Sequence, residues 1–260
     1  MVGLSESINP YLPVEVQDLK WKSVTFEQLT THSAGLPRLP PNMTLLYSLS
    51  NRADPYANYD ETMLFEAVKE VELQPAGKLS EYSNFSFGLL GTLLANVTRT
   101  PYPDLVETRI LRPLEMHGAT ATGWSSDNTA QPLSADGSEA GEWAFDALAG
   151  AGSVRGSVRD AMKFLESSLS AYDEEVPLAV ANCRAQRATD VRAGEYSAQG
   201  LGWIHTQSPA GEIIWHNGGT GGFSTFLGFN AEQEVGLVLL ANVADVDVTG
   251  VGLEFLASLR

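Results

Sequence analysis

The sequence predicts an α+β fold, with helices over its first two thirds and an antiparallel meander followed by one closing helix over the rest. Three observations carry this. Apolar residues recur at helical spacing as far as Leu169. Beyond Tyr196 the period changes to that of short strands separated by turn residues. Finally, those strands come in one run and do not alternate with helices, which argues against a doubly wound parallel sheet. No repeat, low-complexity tract or clean linker divides the chain. Residues 1–260 therefore read as one domain, with a helical lobe over roughly 25–190 and a strand-rich part over roughly 196–260.

Taken in order, Thr25-Phe26-Glu27-Gln28 has the form of a capping box opening a short helix through Leu29, which ends in the loop His32 to Pro37. From Asp60, the spacing of Leu64, Phe65, Val68 and Val71 predicts an amphipathic helix that stops before Pro75 and Gly77. Directly after Tyr82-Ser83-Asn84 a second stripe, Leu90, Leu93, Leu94 and Val97, marks a buried helix. Its Gly88 and Gly91 imply close packing against a neighbour, since helical glycine costs about 1 kcal/mol relative to alanine. Pro103 and Asp104 open a helix through Leu111 that Pro113 closes, and Ser157 to Asp160 form a capping-box-like start leading into Met162, Leu165 and Leu169. Four strands follow, over 201–204, 212–215, 223–229 and 235–240, with turns at 208–211 and 230–233. Leu253, Phe255, Leu256 and Leu259 form the closing helix.

Composition narrows the function. Among 260 residues, 43% are hydrophobic and five are tryptophan, enough to build a core. The formal net charge is -16, from 32 acidic against 16 basic residues. A surface of that sign repels phosphate backbones and anionic lipid, so nucleic acid is not an expected partner. The lone Cys183 has no disulfide partner within the chain and reads as a small packed side chain. The first residues show neither a basic nor an apolar leader region, and the longest apolar run, Val235 to Val243, is too short to span a bilayer. The chain as written is expected to be soluble, with no membrane span; export is left open.

Two short motifs carry the chemistry. In Tyr82-Ser83-Asn84 a turn before a helix can direct both polar tips into a cleft. A tyrosine moves protons if nearby cations lower its pKa from about 10, and an asparagine amide can hold a substrate carbonyl. The same triplet also suits a plain helix N-cap at Asn84 beside a packed ring. In His216-Asn217-Gly218-Gly219-Thr220-Gly221-Gly222 a histidine ends an apolar strand and meets a glycine-dense turn. Glycines there let a ligand approach the strand edge, exposed amides can donate to an oxyanion, and His216 could supply a positive charge or a proton. A hairpin with a surface histidine fits equally. His32 reads as a brace for local backbone, and His117 and His205 as surface or turn residues. No His/Asp/Glu cluster has metal-ligand spacing and no nucleotide-binding loop is present, so no metal or other cofactor is expected.

Together these segments resemble the β-lactamase-related serine hydrolases: class C β-lactamases, D-alanyl-D-alanine carboxypeptidases and esterases of the same fold. The resemblance rests on Gly3-Leu4-Ser5 with Tyr11-Leu12-Pro13, on Thr25 to Pro37, on Tyr82 to Gly91, on Ile110 to Met116, and on His216 to Phe229 followed by Val238 to Asn242. It implies a β-lactamase/transpeptidase-like architecture, an antiparallel sheet flanked by helices beside a helical lobe, with a cleft between them. It also implies that Tyr82 assists proton transfer at the nucleophile and that Asn84 binds the substrate amide. His216-Asn217-Gly218 stands for the third motif, with histidine where β-lactamases usually have lysine, and Gly219 gives an oxyanion-hole amide. The substrate implied is a small acyl compound: a β-lactam, a D-alanyl peptide or an ester.

The first motif of that family, Ser-x-x-Lys, is the departure. Three positions before Lys20, Lys22, Lys69, Lys78 and Lys163 stand Gln17, Leu19, Glu66, Pro75 and Asp160, none of them serine. The resemblance places the family's first strands and nucleophile helix just upstream of Gly3 to Pro13, so those elements are expected to be missing. Without a nucleophile no acyl-enzyme forms by the family route. Three readings follow: a serine hydrolase whose nucleophile segment lies outside this sequence, a non-catalytic ligand- or partner-binding relative, and a chain complemented in trans by a second chain.

Overall fold

The computed structural model describes residues 2–43, 54–123, 129–169, 182–185 and 198–259. Local signals build the helical lobe. Helix α1 (Phe26–Thr30) opens on a closed capping box, with Gln28 N–H donating to Thr25 Oγ1 at 3.2 Å and Thr25 N–H to Gln28 Oε1 at 3.0 Å. Two donors that a helix start leaves unsatisfied are thereby paired. Helix α2 (Glu61–Glu70) is capped by the Asp60 carboxylate and buries Leu64, Ala67 and Val68.

Helix α3 (Asn84–Thr98) is the centre of the lobe, and its buried face differs from the expected stripe. Phe85, Leu89 and Leu93 are fully buried, whereas Leu90, Leu94 and Val97 are half-buried on the flank. The glycines decide this. A Cβ on Gly88 would lie 2.1 Å from Leu148 Cδ2, and one on Gly91 would lie 3.0 Å from Gly150 Cα. The 3-10 turn Ala149–Ala151 therefore seats on the glycine face, beside the buried stripe of Phe85, Leu89 and Leu93 that repeats every four residues. Helix α4 (Tyr102–Val106) continues as a π-helical turn over Glu107–Leu111 before Pro113. Helix α5 (Val158–Leu169) starts on a reciprocal pair, Ser157 N–H to Asp160 Oδ2 at 3.0 Å and Asp160 N–H to Ser157 Oγ at 3.3 Å.

The sheet is antiparallel throughout, in the sequential order β1 (Ala198–Gln199), β2 (Ile204–Ser208), β3 (Gly211–Gly219), β4 (Ser224–Asn230), β5 (Val235–Ala241), and helix α6 (Val248–Ala257) closes the chain. The α+β class and the meander are as predicted, while the strand ends are shifted. Leu201 to Trp203 are not a strand but the turn into β2, where Gly202 takes φ +80 and donates its N–H to the Thr30 carbonyl at 3.0 Å. His205 consequently falls inside β2, 1% exposed, with its Nδ1 3.2 Å from Glu212 Oε2; it is not a surface residue. Strand β3 runs four residues past Trp215, so His216 sits within a strand, and the turn comes later, closed by Thr220 N–H to the Phe223 carbonyl at 3.0 Å. The expected lobe limits near 190 and at Tyr196 lie outside the described residues.

Period-two alternation gives the sheet two apolar faces. Ile213, Trp215 and Phe226 pack with Leu256 of α6, while Ile214 and Phe229 pack with Trp203 and Leu165 of α5. Phe255, expected in the closing stripe, is 47% exposed, because one residue turns about 100° around a helix and carries it away from the face of Leu256.

Candidate active site

Tyr82 and His216 come from opposite ends of the chain and face each other, their ring centroids 6.0 Å apart. His216 reaches this position by strand alternation. It lies on the Ile214 side of β3 and pairs with Leu227 of β4, whereas Asn217 lies on the α6 side, where its Nδ2 donates to Thr249 Oγ1 at 3.0 Å. Thus His216 is brought to Tyr82 and the Asn217 side chain is not.

The Tyr82-Ser83-Asn84 turn is fastened from three sides. Ser83, not Asn84, is the N-cap of α3: its Oγ accepts from Ser86 N–H at 3.0 Å and donates to the Pro37 carbonyl at 2.7 Å. A side-chain oxygen one residue before the helix reaches the free amides better than one already inside it. Asn84 is the first helical residue and donates from Nδ2 to the Tyr56 hydroxyl at 3.0 Å. Tyr56 packs in turn against Trp143 and Phe145, with centroids 5.3 and 4.6 Å away. The third tie is His32. Its carbonyl accepts from Glu81 N–H at 2.9 Å and its Nδ1 from Ser83 N–H at 3.0 Å, so the residues on both sides of Tyr82 are bound to one residue. The His32 ring lies between Tyr82 and Phe87, at 4.7 and 4.8 Å, and the Arg38 guanidinium stands over the Tyr82 ring at 5.0 Å. The sequence singled out His32 as a brace. Tyr56 and Arg38 had no signal there, since 28 and 44 residues separate them from the side chains they meet (Asn84 and Tyr82), and no motif links them.

Both histidines are neutral near pH 7. His32 is 3% exposed, and burial, with the His216 ring and the Arg38 guanidinium nearby adding to it, pushes its pKa from 6.5 to about 3. Because Nδ1 accepts from Ser83, the proton sits on Nε2, a buried atom with no partner among the described residues. Burial also lowers the pKa of half-buried His216. Its Nδ1 lies 2.7 Å from the Asn217 carbonyl, which can only accept, so Nδ1 carries the proton and Nε2 keeps a lone pair. His216 thus presents a neutral ring with a free Nε2 lone pair, where the motif allowed either a positive charge or a proton.

The glycines form an overhang. Strand β2 pairs with residues 211–215 of β3 only, whereas β4 pairs with it through Gly219, so His216 to Gly219 have one edge outside the ladder. Along such an edge alternate N–H groups point away from the partner strand and are available to a ligand carbonyl. Asn217, Gly218 and Gly219 are exposed, and a Cβ on Gly219 would meet nothing within 4 Å. Two serines of these segments are committed elsewhere, Ser83 as described and Ser224 through its hydroxyl to the Val243 carbonyl at 2.9 Å. The surface hollows beside Glu107 and His117 and beside Asn9 and Lys22 contain none of these side chains. Among the described residues no cluster of three or more His, Cys, Asp or Glu side chains could hold a metal, and no helix is long and apolar enough to cross a membrane.

The model of the beta-lactamase family matches residues 2–254. Among curated proteins, the D-alanyl-D-alanine-carboxypeptidase/endopeptidase AmpH of Escherichia coli K12 is 26% identical over 248 residues, which cover 90% of this chain and 63% of the relative. A beta-lactamase of Yersinia enterocolitica is 24% identical over 290 residues, covering 93% of this chain and 68% of its own length. The chain thus spans less than two thirds of the AmpH relative. Among solved structures, a beta-lactamase/D-alanine carboxypeptidase from Pseudomonas syringae superposes with a TM-score of 0.79 at 21% identity, covering 98% of this chain and 76% of that one. The D-alanine carboxypeptidase AmpC from Burkholderia cenocepacia gives 0.79 at 22%, covering 99% and 77%. The likeness to these structures establishes a β-lactamase/transpeptidase fold.

Proposed function

Since this chain belongs to the beta-lactamase family of serine hydrolases, we propose that the cleft between Tyr82 and His216 is an acyl-transfer site for a β-lactam, a D-alanyl peptide or a small ester. The observation that carries this reading is the facing pair, a fixed phenol 6.0 Å from a neutral imidazole, beside a glycine edge that no strand pairs among the described residues. Tyr82 exchanges the proton of an attacking hydroxyl and of the leaving group, and the His216 Nε2 lone pair takes up or returns it. The Gly219 amide donates to the oxyanion as the acyl carbon becomes tetrahedral. Asn84, its amide oriented by Tyr56, holds the amide of the substrate. The relatives, a D-alanyl-D-alanine-carboxypeptidase/endopeptidase and a beta-lactamase, support this substrate range.

The 260 residues contain no Ser-x-x-Lys, the motif that carries the nucleophile by the family route. That observation favours a second reading, a non-catalytic site that binds acyl compounds reversibly, with complementation by a second chain as its catalytic variant. One experiment separates them. The purified chain is titrated with a penicillin and with a D-alanyl-D-alanine peptide while amide and histidine NMR signals and the intact mass are followed, with and without added peptides carrying Ser-x-x-Lys. Shifts at Tyr82, His216 and Gly219 with an acyl adduct support acyl transfer, and the same shifts without an adduct support reversible binding. Ligands that leave all three signals unmoved overturn both.

A further inference from the structure

We propose that strand β5 is a docking surface for a second copy of this chain, the two sheets joining edge to edge through β5 and its twin. The inference is independent of the acyl-site reading. It starts from a mismatch between the strand's sequence and its position. β5 reads Val235-Gly236-Leu237-Val238-Leu239-Leu240-Ala241, an unbroken apolar run of the kind found in strands with a neighbour on each side and cover on each face. The faces are covered: Val235, Leu237 and Leu239 pack in the cluster under α6, and Val238 in the cluster under α5, where Gly236 lies against Leu165. The second neighbour is missing. β4 pairs with the strand from Ser224↔Ala241 to Asn230↔Val235, and among the described residues no backbone group pairs with its other edge. Consequently none of its seven residues is buried and Leu240 is 42% exposed, whereas β4, between the same helices, buries Phe226 and Phe229. Nor does β5 carry the lysine or proline that guards an open edge.

Symmetry and charge point to a second copy as the occupant. Paired antiparallel with itself about Val238, the strand sets Leu237 opposite Leu239 under α6 and Gly236 opposite Leu240 under α5, so each apolar face continues into its own kind. Leu240 thereby gains cover opposite the residue of least bulk. The acids that flank the strand, Glu232, Glu234 and Asp245, fall opposite Ala244, Asn242 and Ala231, so no two meet although each chain has a net charge of -16. The two-fold axis places both α6 helices on one face of the joined sheet, and α6 has apolar surface to offer there: Val251 and Phe255, four residues apart, are exposed, and Glu254 is its one charge. At the opposite end of the sheet β1 has two residues, too few to receive β5, so the association closes at two copies.

The test follows the mass of the full chain by sedimentation equilibrium between about 1 and about 100 µM, with near-ultraviolet circular dichroism to show that each variant is folded. A dimer is expected, with more of it at high salt, because screening weakens the repulsion between two acidic chains. Leu240→Lys, at a position already exposed, should weaken it about tenfold or more. Val14→Lys, exposed between Leu12 and Val16 of the helical-lobe core, should leave it unchanged. Register is read by cross-linking in a Cys183→Ser background. Val238→Cys should give a disulfide-linked dimer on mild oxidation, since opposite residues lie about 4.5 to 5.5 Å apart between Cα atoms, and Ala241→Cys, whose counterpart is Val235, should not. A monomer at every concentration and salt would overturn the proposal. So would a dimer indifferent to a folded Leu240→Lys, or cross-linking as fast for Ala241→Cys as for Val238→Cys. A chain that stays monomeric yet gains amide protection over 235–241 when the Ser-x-x-Lys peptides are added would also overturn it, by assigning the edge to a different chain. None of these outcomes bears on the acyl site.

Discussion

Acidification from about pH 7 to about pH 5 should cost the native protein about 2 kcal/mol through His32 alone. In the unfolded chain His32 protonates with its ordinary pKa of 6.5, whereas in the native protein burial delays protonation to about 3. Between those values the unfolded state binds more protons than the native one, so stability rises with pH. The contribution is full at neutral pH and is lost as the pH falls from 6.5 towards 3. The unfolded imidazole goes from about one quarter protonated at pH 7 to nearly fully protonated at pH 5, which with about 1.4 kcal/mol per pH unit gives the figure above. His205 and His216 are also held low by burial and add slope of the same sign, so the measurement must be a difference. His32→Asn supplies it. Asparagine tolerates the left-handed backbone that His32 adopts at φ +54 and does not titrate. Urea unfolding of both proteins, followed by tryptophan fluorescence at several pH values, should show the wild type losing about 2 kcal/mol more than the variant between pH 7 and pH 5. Parallel pH dependences would refute the reasoning, because they would mean that native His32 protonates as readily as the unfolded residue.

Three further outcomes follow from the geometry. Gly150→Ala would place a Cβ 2.2 Å from the Phe87 carbonyl oxygen, a backbone atom that cannot swing aside, and should cost about 1–3 kcal/mol; Gly219→Ala, with open space around it, should stay within about 0.5 kcal/mol, both read from denaturant midpoints. The His216 ring should titrate below 6.5 with its proton on Nδ1, and a ¹⁵N spectrum showing the Nε2-protonated form at neutral pH would remove it as the base. Asn217→Ala should loosen the contact with Thr249 of α6 yet leave acyl-ligand binding unchanged, since its side chain lies on the far face of β3; a binding loss of tenfold or more would contradict that placement.

Much of the fold is written locally. Capping pairs such as Thr25 with Gln28 and Ser157 with Asp160 are satisfied by residues three apart, so their types alone announce a helix start. The change of period beyond the helical lobe announced the meander, and the motifs containing Tyr82 and His216 pointed to the two segments that meet. Other features depend on partners that spacing cannot reveal. The inward face of α3 is set by how closely the turn around Gly150 can approach Gly88 and Gly91, so apolar residues on an adjacent stripe, Leu90 and Leu94, stay half-buried. The end of β3 is set by pairing with β4, which carries the strand through glycines whose local preference is for a turn. His205 is buried because β2 starts at Ile204, and the His216 ring is neutral with its proton on Nδ1 because burial and the Asn217 carbonyl fix its charge and tautomer. The sequence by itself determined which groups are present and which helices begin where, because those rest on neighbours along the chain. Which groups face one another, Tyr82 with His216, Arg38 over Tyr82 and Asn84 on Tyr56, was decided only in the tertiary structure, because burial, charge and orientation there come from residues far apart in sequence.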